Sequence, residues 1–232
     1  MRTIIFDIET SAYPFESLSE SQQEYLLRYA KKENDTEAKE KMEEDAIRYM
    51  SLYPFTAKVI AIGLYDVEKK KSFVYYENLE LEEWASEGKN IQYKGLPETE
   101  MLQSFWRIIE VADRIVTFNG RIFDAPFLML RSAMLEVKPS RNLITNRYDK
   151  TFHIDLLDQF TFYGLIRKFN LDFYCNAFGI ESPKSKGISG MEVQTHYDAG
   201  KVKEIAVYCG RDILATCELF YIWDKYLALS GF

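Results

Sequence analysis

The chain has 232 residues, of which 47% are hydrophobic and 28% are charged, a balance that is typical of globular proteins and excludes a wholly disordered one. Its 29 basic and 36 acidic side chains give a formal net charge of −7, which excludes a generally basic surface for nucleic acid or anionic lipid. Three cysteines are too few for a disulfide framework, and no apolar run approaches the ~18 residues that span a bilayer. The first residues also lack the apolar run of a signal peptide, so we expect a cytoplasmic protein without membrane association.

The chain opens with a short apolar strand at residues 2–8, after which its composition changes abruptly. Residues 16–52 are rich in Glu, Lys and Gln and contain neither Gly nor Pro, which predicts one or two exposed helices. Ser19 or Ser21 is a candidate cap for the first helix, and residues 34–36 mark a break before the second. Because too little of this segment is apolar to form its own core, we interpret it as a helical insertion that lies on the domain.

Strand and helix patterns alternate through the rest of the chain. Apolar runs predict strands at 57–65 and 72–76, joined as an antiparallel hairpin by a lysine-rich turn. The elements predicted after the hairpin are a helix at 98–112, a strand at 114–118, a helix at 125–135, a strand at 152–155 and then mainly helix. This order predicts one α/β domain over residues 1–232, with a mixed β-sheet flanked by helices.

Two acids on the first strand indicate a metal site. The two-residue period of a strand places Asp7 and Glu9 on one face, about 7 Å apart. Ionised carboxylates beside an apolar strand repel each other and resist desolvation, and a divalent cation would remove both penalties. The alternative is that the two acids mark the place where the strand reaches solvent.

Two further acids lie in apolar surroundings. Asp124 precedes an Ala-Pro pair and an apolar run, so it is a candidate N-cap as well as a candidate ligand. Asp212 interrupts the apolar face of the last helix one turn after Tyr208, so its burial requires a basic partner or a metal ion. If these acids converge with the pair on the first strand, the four form a two-cation site suited to phosphodiester hydrolysis. Carboxylate ligands favour Mg²⁺ or Mn²⁺ over Zn²⁺.

Three short motifs carry a family resemblance. In chain order they are Asp7-Ile8-Glu9-Thr10, Asn119-x3-Phe123-Asp124 and Tyr208-x3-Asp212. Together they resemble the exonuclease motifs of the DEDD (DnaQ-like) superfamily, and the tyrosine resembles its DEDDy branch, which includes the proofreading domains of family-B DNA polymerases. The resemblance implies a ribonuclease-H-like fold, two Mg²⁺ or Mn²⁺ ions, and hydrolysis of single strands from the 3′ end to nucleoside 5′-monophosphates.

The resemblance also implies a role for each of the four acids. Asp7 would contact both ions, and Glu9 and Asp212 would complete the protein ligands of the first ion. Asp124 would act on the second ion through water. All four acids are present, which favours an active enzyme.

Three motif residues would contact water or substrate. Tyr208 would hold the attacking water, Thr10 would contact the terminal nucleotide, and Asn119 would lie beside the substrate. The leading hypothesis is therefore an exonuclease that acts on single-stranded DNA with a free 3′ end. The alternatives are an exoribonuclease of the same fold, and a catalytically silent nucleic-acid-binding module.

Several features lie outside the three motifs. The resemblance does not account for the insertion at residues 16–52, which is a candidate surface for a protein partner. Asp155 is interpreted as a helix cap rather than as a further polar group near the metals. Lys184 and Lys186 are candidates for contacts with substrate phosphates, and equally for solvated loop lysines. One of the phenylalanines around the second motif is a candidate to stack on a terminal base.

Overall fold

The structure is a computed structural model that describes residues 1–146, 148, 151–183, 188 and 190–229. In these residues the strands are β1 (Thr3–Ala12), β2 (Ala57–Asp66), β3 (Lys71–Glu77), β4 (Glu83–Ala85), β5 (Ile91–Leu96), β6 (Arg114–Thr117) and β7 (His153–Asp155). They form one sheet in the order β4-β5-β3-β2-β1-β6-β7, with the longest strands at its centre.

The sheet is mixed, as the sequence predicts. β2 pairs antiparallel with both β1 and β3, so the predicted hairpin is confirmed. β6 runs parallel to both β1 and β7, and β5 runs parallel to β3. The sequence analysis missed β4 and β5, because β4 has three residues and β5 carries Lys94 and Gly95 where an apolar pattern would signal a strand.

The helices of the described residues are α1 (Glu20–Leu26), α2 (Thr36–Arg48), α3 (Glu98–Glu110), α4 (Asp124–Met134), α5 (Leu156–Phe160), α6 (Leu171–Phe178), α7 (Val193–Asp198) and α8 (Val202–Tyr226). Ile4, Phe6 and Ile8 of β1 face α3 and α4 on one side of the sheet. Ile5 faces α5, α6 and α8 on the other side. The predicted sheet flanked by helices is therefore confirmed. None of the helices described is both long and apolar enough to cross a membrane.

The charged segment between β1 and β2 is helical and largely exposed, as predicted. Ser19 caps α1 through a capping box, and Asp35 caps α2 by accepting a hydrogen bond from the Ala38 N–H at 2.8 Å. Neither helix contains a buried residue. A 3₁₀ turn at Tyr49–Leu52 follows α2 and holds the fully buried Met50, so this turn joins the segment to the body of the protein.

Candidate active site

Asp7 and Glu9 lie within the sheet, on the face of β1 that is turned toward α8. β1 continues to Ala12, beyond the predicted end of the strand at residue 8. Glu9 is only 8% exposed, so the interpretation of these acids as the solvent end of the strand is wrong. One carboxylate oxygen of Asp7, one of Glu9 and the Sγ of Cys209 all lie within 4.8 Å of one another. That spacing suits side chains that share one cation.

A β-bulge follows directly after Glu9. Glu9 pairs with Ala61 and Thr10 pairs with Val59, so the register shifts by one residue of β2 between them. Bulges re-aim side chains and are common beside functional sites. Here the buried Thr10 hydroxyl donates to the Ser51 carbonyl at 2.6 Å, which ties β1 to the 3₁₀ turn after α2.

Asp124 points at β1 rather than capping a helix. It is the first residue of α4, and Phe123 before it makes no side-chain cap. The Asp124 Oδ1 accepts a hydrogen bond from the Ile8 N–H at 2.9 Å, and the side chain is 2% exposed. The interpretation of Asp124 as an N-cap is therefore wrong, and the contact places its carboxylate next to the two acids of β1.

Tyr208 and Asp212 approach the same place from α8. Both are buried, one helical turn apart, as their spacing predicts. The close approach depends on Gly63 of β2, which pairs with Asp7 across the sheet. A Cβ at Gly63 would lie 2.5 Å from the Ile213 Cγ1 and 2.9 Å from the Cys209 Sγ. A larger residue there would push α8 away from the sheet.

Burial and mutual repulsion raise the pKa values of these acids. Burial is the largest cause of the raised pKa of Asp7, followed by the carboxylates of Asp124, Glu9 and Asp212. For Glu9 burial again comes first, then Asp212 and Asp124. Burial also raises the pKa of Asp124 to about 7, with smaller contributions from Asp155 and Asp212. Across the described residues, no Lys or Arg forms an ion pair with Asp7, Glu9 or Asp124. The cluster is therefore short of positive charge.

The donor set fits hard divalent cations. Buried carboxylates are the ligands that Mg²⁺ and Mn²⁺ prefer, and the positive charge of such ions would offset the repulsion among them. Cys209 is a soft donor that lies beside Asp7 and Glu9. Burial is the largest cause that raises the pKa of its thiol, and its Sγ donates to the Asp7 carbonyl at 4.0 Å. It is a neutral neighbour of the acids, on the helix face that the sequence assigns to Tyr208 and Asp212.

The loop that carries Asn119 is held by a buried carboxylate. Asp155 caps α5 by accepting from the Leu157 N–H, as the sequence predicts. It also accepts from the N–H groups of Asn119 and Arg121, both at 2.9 Å, a role that sequence reasoning missed. Asn119 has a φ of 65°, in the left-handed region that asparagine tolerates well. Asp155 therefore positions the loop of the second motif.

A cavity of about 760 Å³ opens beside these residues. Glu9, Thr10 and Phe123 line it on the side of the acids. The 3₁₀ turn at Tyr49–Leu52 and helix α7 line its other sides. Phe123, a half-buried phenylalanine of the second motif, lines this cavity. Lys184 and Lys186 lie outside the described residues.

A family model described as a predicted 3′-5′ exonuclease related to the exonuclease domain of PolB matches residues 51–231. The chain belongs to this family. The matched residues include Asn119, Asp124, Tyr208 and Asp212, whereas β1 precedes them. The resemblance that the three motifs indicate is therefore confirmed at the level of the family.

A solved structure supports the same relationship at the level of the fold. The family B DNA polymerase from the hyperthermophilic archaeon Pyrobaculum calidifontis matches with a TM-score of 0.59 and 17% sequence identity. The match covers 96% of this chain and 24% of the polymerase, so the chain spans less than a third of that protein's length. The predicted ribonuclease-H-like α/β fold is confirmed. A comparison with curated proteins found no match.

Proposed function

We propose that this protein is a metal-dependent 3′-5′ exonuclease that removes nucleoside 5′-monophosphates from single-stranded DNA. The observation that carries the proposal is the cluster of buried carboxylates from β1, α4 and α8. Burial first, and repulsion between carboxylates second, raise the pKa values of Asp7, Glu9 and Asp124. Membership of a PolB-related exonuclease family indicates which reaction such a cluster would serve.

Asp7, Glu9, Asp124 and Asp212 would hold two Mg²⁺ or Mn²⁺ ions. When bound, such ions supply an activated water and stabilise the charge on the attacking and leaving oxygens of a phosphodiester. The protein's part is to keep the carboxylates close together and shielded from bulk solvent. The hydrogen bond from the Ile8 N–H holds Asp124 next to β1, and the close contact of α8 with Gly63 holds Asp212 near the same strand.

Tyr208 would orient the attacking water without removing its proton. Burial is the largest cause that raises the pKa of this phenol far above its usual value, and the nearby Asp212 carboxylate raises it further. The hydroxyl therefore stays protonated at every working pH, and its task is hydrogen bonding.

The 3′-terminal nucleotide would enter the cavity beside Glu9. Thr10 and Asn119 would contact it from β1 and from the loop that Asp155 holds. We include residues 1–232 in one exonuclease domain, with residues 16–52 as an insertion. DNA is the favoured substrate over RNA, because the family is described as related to the exonuclease domain of a DNA polymerase.

The proposal is tested with 5′-labelled single-stranded DNA and RNA oligomers, incubated with Mg²⁺, with Mn²⁺ or with EDTA. We expect a descending ladder of shortened products with either metal, faster on DNA, and none in EDTA or with Asp7→Ala. A faster ladder on RNA would make the protein an exoribonuclease. Retarded but intact strands would make it a binding module.

A further inference from the structure

The charged segment between β1 and β2 provides one wall of the cavity that contains Glu9. The wall consists of Ile47, Arg48, Tyr49, Ser51 and Leu52. Glu9 and Thr10 line the same cavity, so the wall is continuous with the candidate active site. The three motifs do not explain this segment, and most of the wall precedes residue 51, where the family match begins.

The wall is held firmly against the strand that carries the acids. The Thr10 hydroxyl donates to the Ser51 carbonyl at 2.6 Å, and the buried Thr56 hydroxyl donates to the Met50 carbonyl at 2.7 Å. Met50 is fully buried beneath the turn. A surface that is already ordered loses little conformational entropy when a ligand binds. The turn is therefore fixed relative to Glu9 before any strand enters.

The exposed side chains of the wall are aromatic, apolar and basic: Tyr49, Ile47, Leu52 and Arg48. Tyr49 is 44% exposed and Leu52 is 47% exposed. The Arg48 guanidinium lies 4.9 Å from the centre of the Tyr49 ring and donates to its hydroxyl at 3.0 Å. Aromatic rings accompanied by arginine are the usual platform on which single-stranded nucleic acids stack their bases.

The charges around the cavity favour stacking over phosphate attraction. Its lining includes two basic residues, Arg48 and Lys58, and two acidic ones, Glu9 and Asp198. Lys58 is paired with Glu77 at 2.9 Å. A surface so close to electrical balance offers little attraction to a phosphate backbone, so binding must come from contacts with the bases. The volume of about 760 Å³ is that of a small-ligand pocket, which suits a strand end rather than a duplex.

We propose that this wall, through the ring of Tyr49, stacks the unpaired bases that precede the 3′ terminus of a single strand. The position of that terminus rests on the proposed function. The wall makes the chain selective for unpaired strands, because stacked bases of a duplex do not offer a free face to Tyr49.

The test compares Tyr49→Ala with Tyr25→Ala. Tyr25 is an apt control, since it lies in the same segment, is exposed, and carries Arg28 over its ring at 3.7 Å, yet does not line the cavity.

The probe is 5′-fluorescein dT8 with phosphorothioate linkages, titrated with protein in Mg²⁺ and followed by fluorescence anisotropy. We expect Tyr49→Ala to weaken binding about tenfold, at the low end of one base–aromatic stack. Tyr49→Phe should restore binding, and Tyr25→Ala should stay within about twofold of the unaltered protein. An equal loss of affinity for both alanine variants, or no loss for Tyr49→Ala, would overturn the proposal. The segment would then be a candidate surface for a protein partner instead.

A second substrate separates this inference from the proposed function. The p-nitrophenyl ester of thymidine 5′-monophosphate has no preceding base to stack. Tyr49→Ala should therefore leave its kcat/KM unchanged while KM for dT8 with ordinary linkages rises and kcat stays constant. A similar loss on both substrates would contradict a stacking wall. If the unaltered protein hydrolyses neither substrate, the proposed function fails, and the anisotropy comparison still decides the role of Tyr49.

Discussion

Asp124 shows how one side chain serves the fold and the site together. Its Oδ1 accepts a hydrogen bond from the Ile8 N–H, while burial, and to a smaller extent the nearby Asp155 and Asp212, raise the pKa of its carboxyl group to about 7. The hydrogen bond requires only an acceptor oxygen, which asparagine also offers. The charge, by contrast, has no structural partner among the described residues. Structure and chemistry can therefore be separated by a substitution at this position.

Asp124→Asn should remove activity while the fold persists. The amide oxygen keeps the Ile8 contact, but a neutral side chain cannot serve as a carboxylate ligand, so we expect kcat to fall by at least about 10²-fold. The melting temperature should fall by no more than about 3 °C, which corresponds to about 1 kcal/mol for a chain of this size. Thermal melting and a rate assay on the same preparation check this. A protein that melts early but keeps its rate would show that Asp124 is only structural.

Tyr208→Phe separates a water-orienting role from a ligand role. Since the phenol stays protonated, removing its hydroxyl should lower kcat by about 10²-fold and leave Mn²⁺ affinity intact. Asp212→Ala, one turn away, should lose both metal affinity and turnover. Calorimetric titration with Mn²⁺ and kcat at saturating Mn²⁺ are the measurements. An unchanged kcat for Tyr208→Phe would remove the tyrosine from the mechanism.

At the scale of elements, the contact between α8 and β2 brings the third motif to the first. Gly63 pairs with Asp7, and the space left by its missing side chain is filled by Ile213 and Cys209 of α8. Protein interiors are close-packed, so an added methyl group must displace one of these neighbours. The glycine therefore sets the distance between Asp212 and the acids of β1.

Gly63→Ala should damage the metal site without touching a ligand. We expect a loss of about 1–3 kcal/mol in the free energy of unfolding, together with weaker Mn²⁺ binding, because α8 must move. Gly190→Ala is the matched control, since a Cβ there meets no atom within 4 Å. Urea unfolding and Mn²⁺ titration of both variants check the expectation. Normal Mn²⁺ affinity in a folded Gly63→Ala protein would argue against this role of the contact.

The sequence predicts the helices and strands better than the contacts between them. Periodicity alone placed Asp7 with Glu9 on one face and Tyr208 with Asp212 on another, because those spacings lie within single elements. Periodicity could not predict that these two faces meet, because their contact depends on Gly63, which belongs to none of the three motifs. The hydrogen bonds that Asp155 accepts from the Asn119 loop were missed for the same reason. They involve backbone N–H groups, which every residue except proline has, so no residue type in the loop indicates them.

For the whole molecule, the metal-free site works against the stability of the fold. The carboxyl groups of Asp7, Glu9 and Asp124 have raised pKa values in the folded protein, so the folded state binds more protons than the unfolded chain. The contribution of these groups to stability is then greatest below about pH 4, where both states are protonated at these groups, and is lost as pH rises through about 7. Divalent cations held by the ionised carboxylates would reverse this effect.

Thermal melting without metal should therefore show a lower melting temperature at pH 8 than at pH 5.5, by about 5 °C. Mn²⁺ should raise the melting temperature at pH 8 more than at pH 5.5, because protons compete for the same oxygens. The double variant Asp7→Asn/Glu9→Gln serves as the control and should respond less to both pH and Mn²⁺. A melting temperature that rises with pH in the metal-free protein would contradict the account.

Product mass in ¹⁸O-water shows whether the clustered acids direct water to a phosphorus atom at a 3′ end. Single-stranded DNA is incubated with the protein and Mg²⁺, and the released products are analysed by mass spectrometry. We expect nucleoside 5′-monophosphates that carry one ¹⁸O atom in the phosphate, and none with Asp7→Ala. Nucleoside 3′-phosphates, internal fragments, or no release of mononucleotide would contradict this expectation.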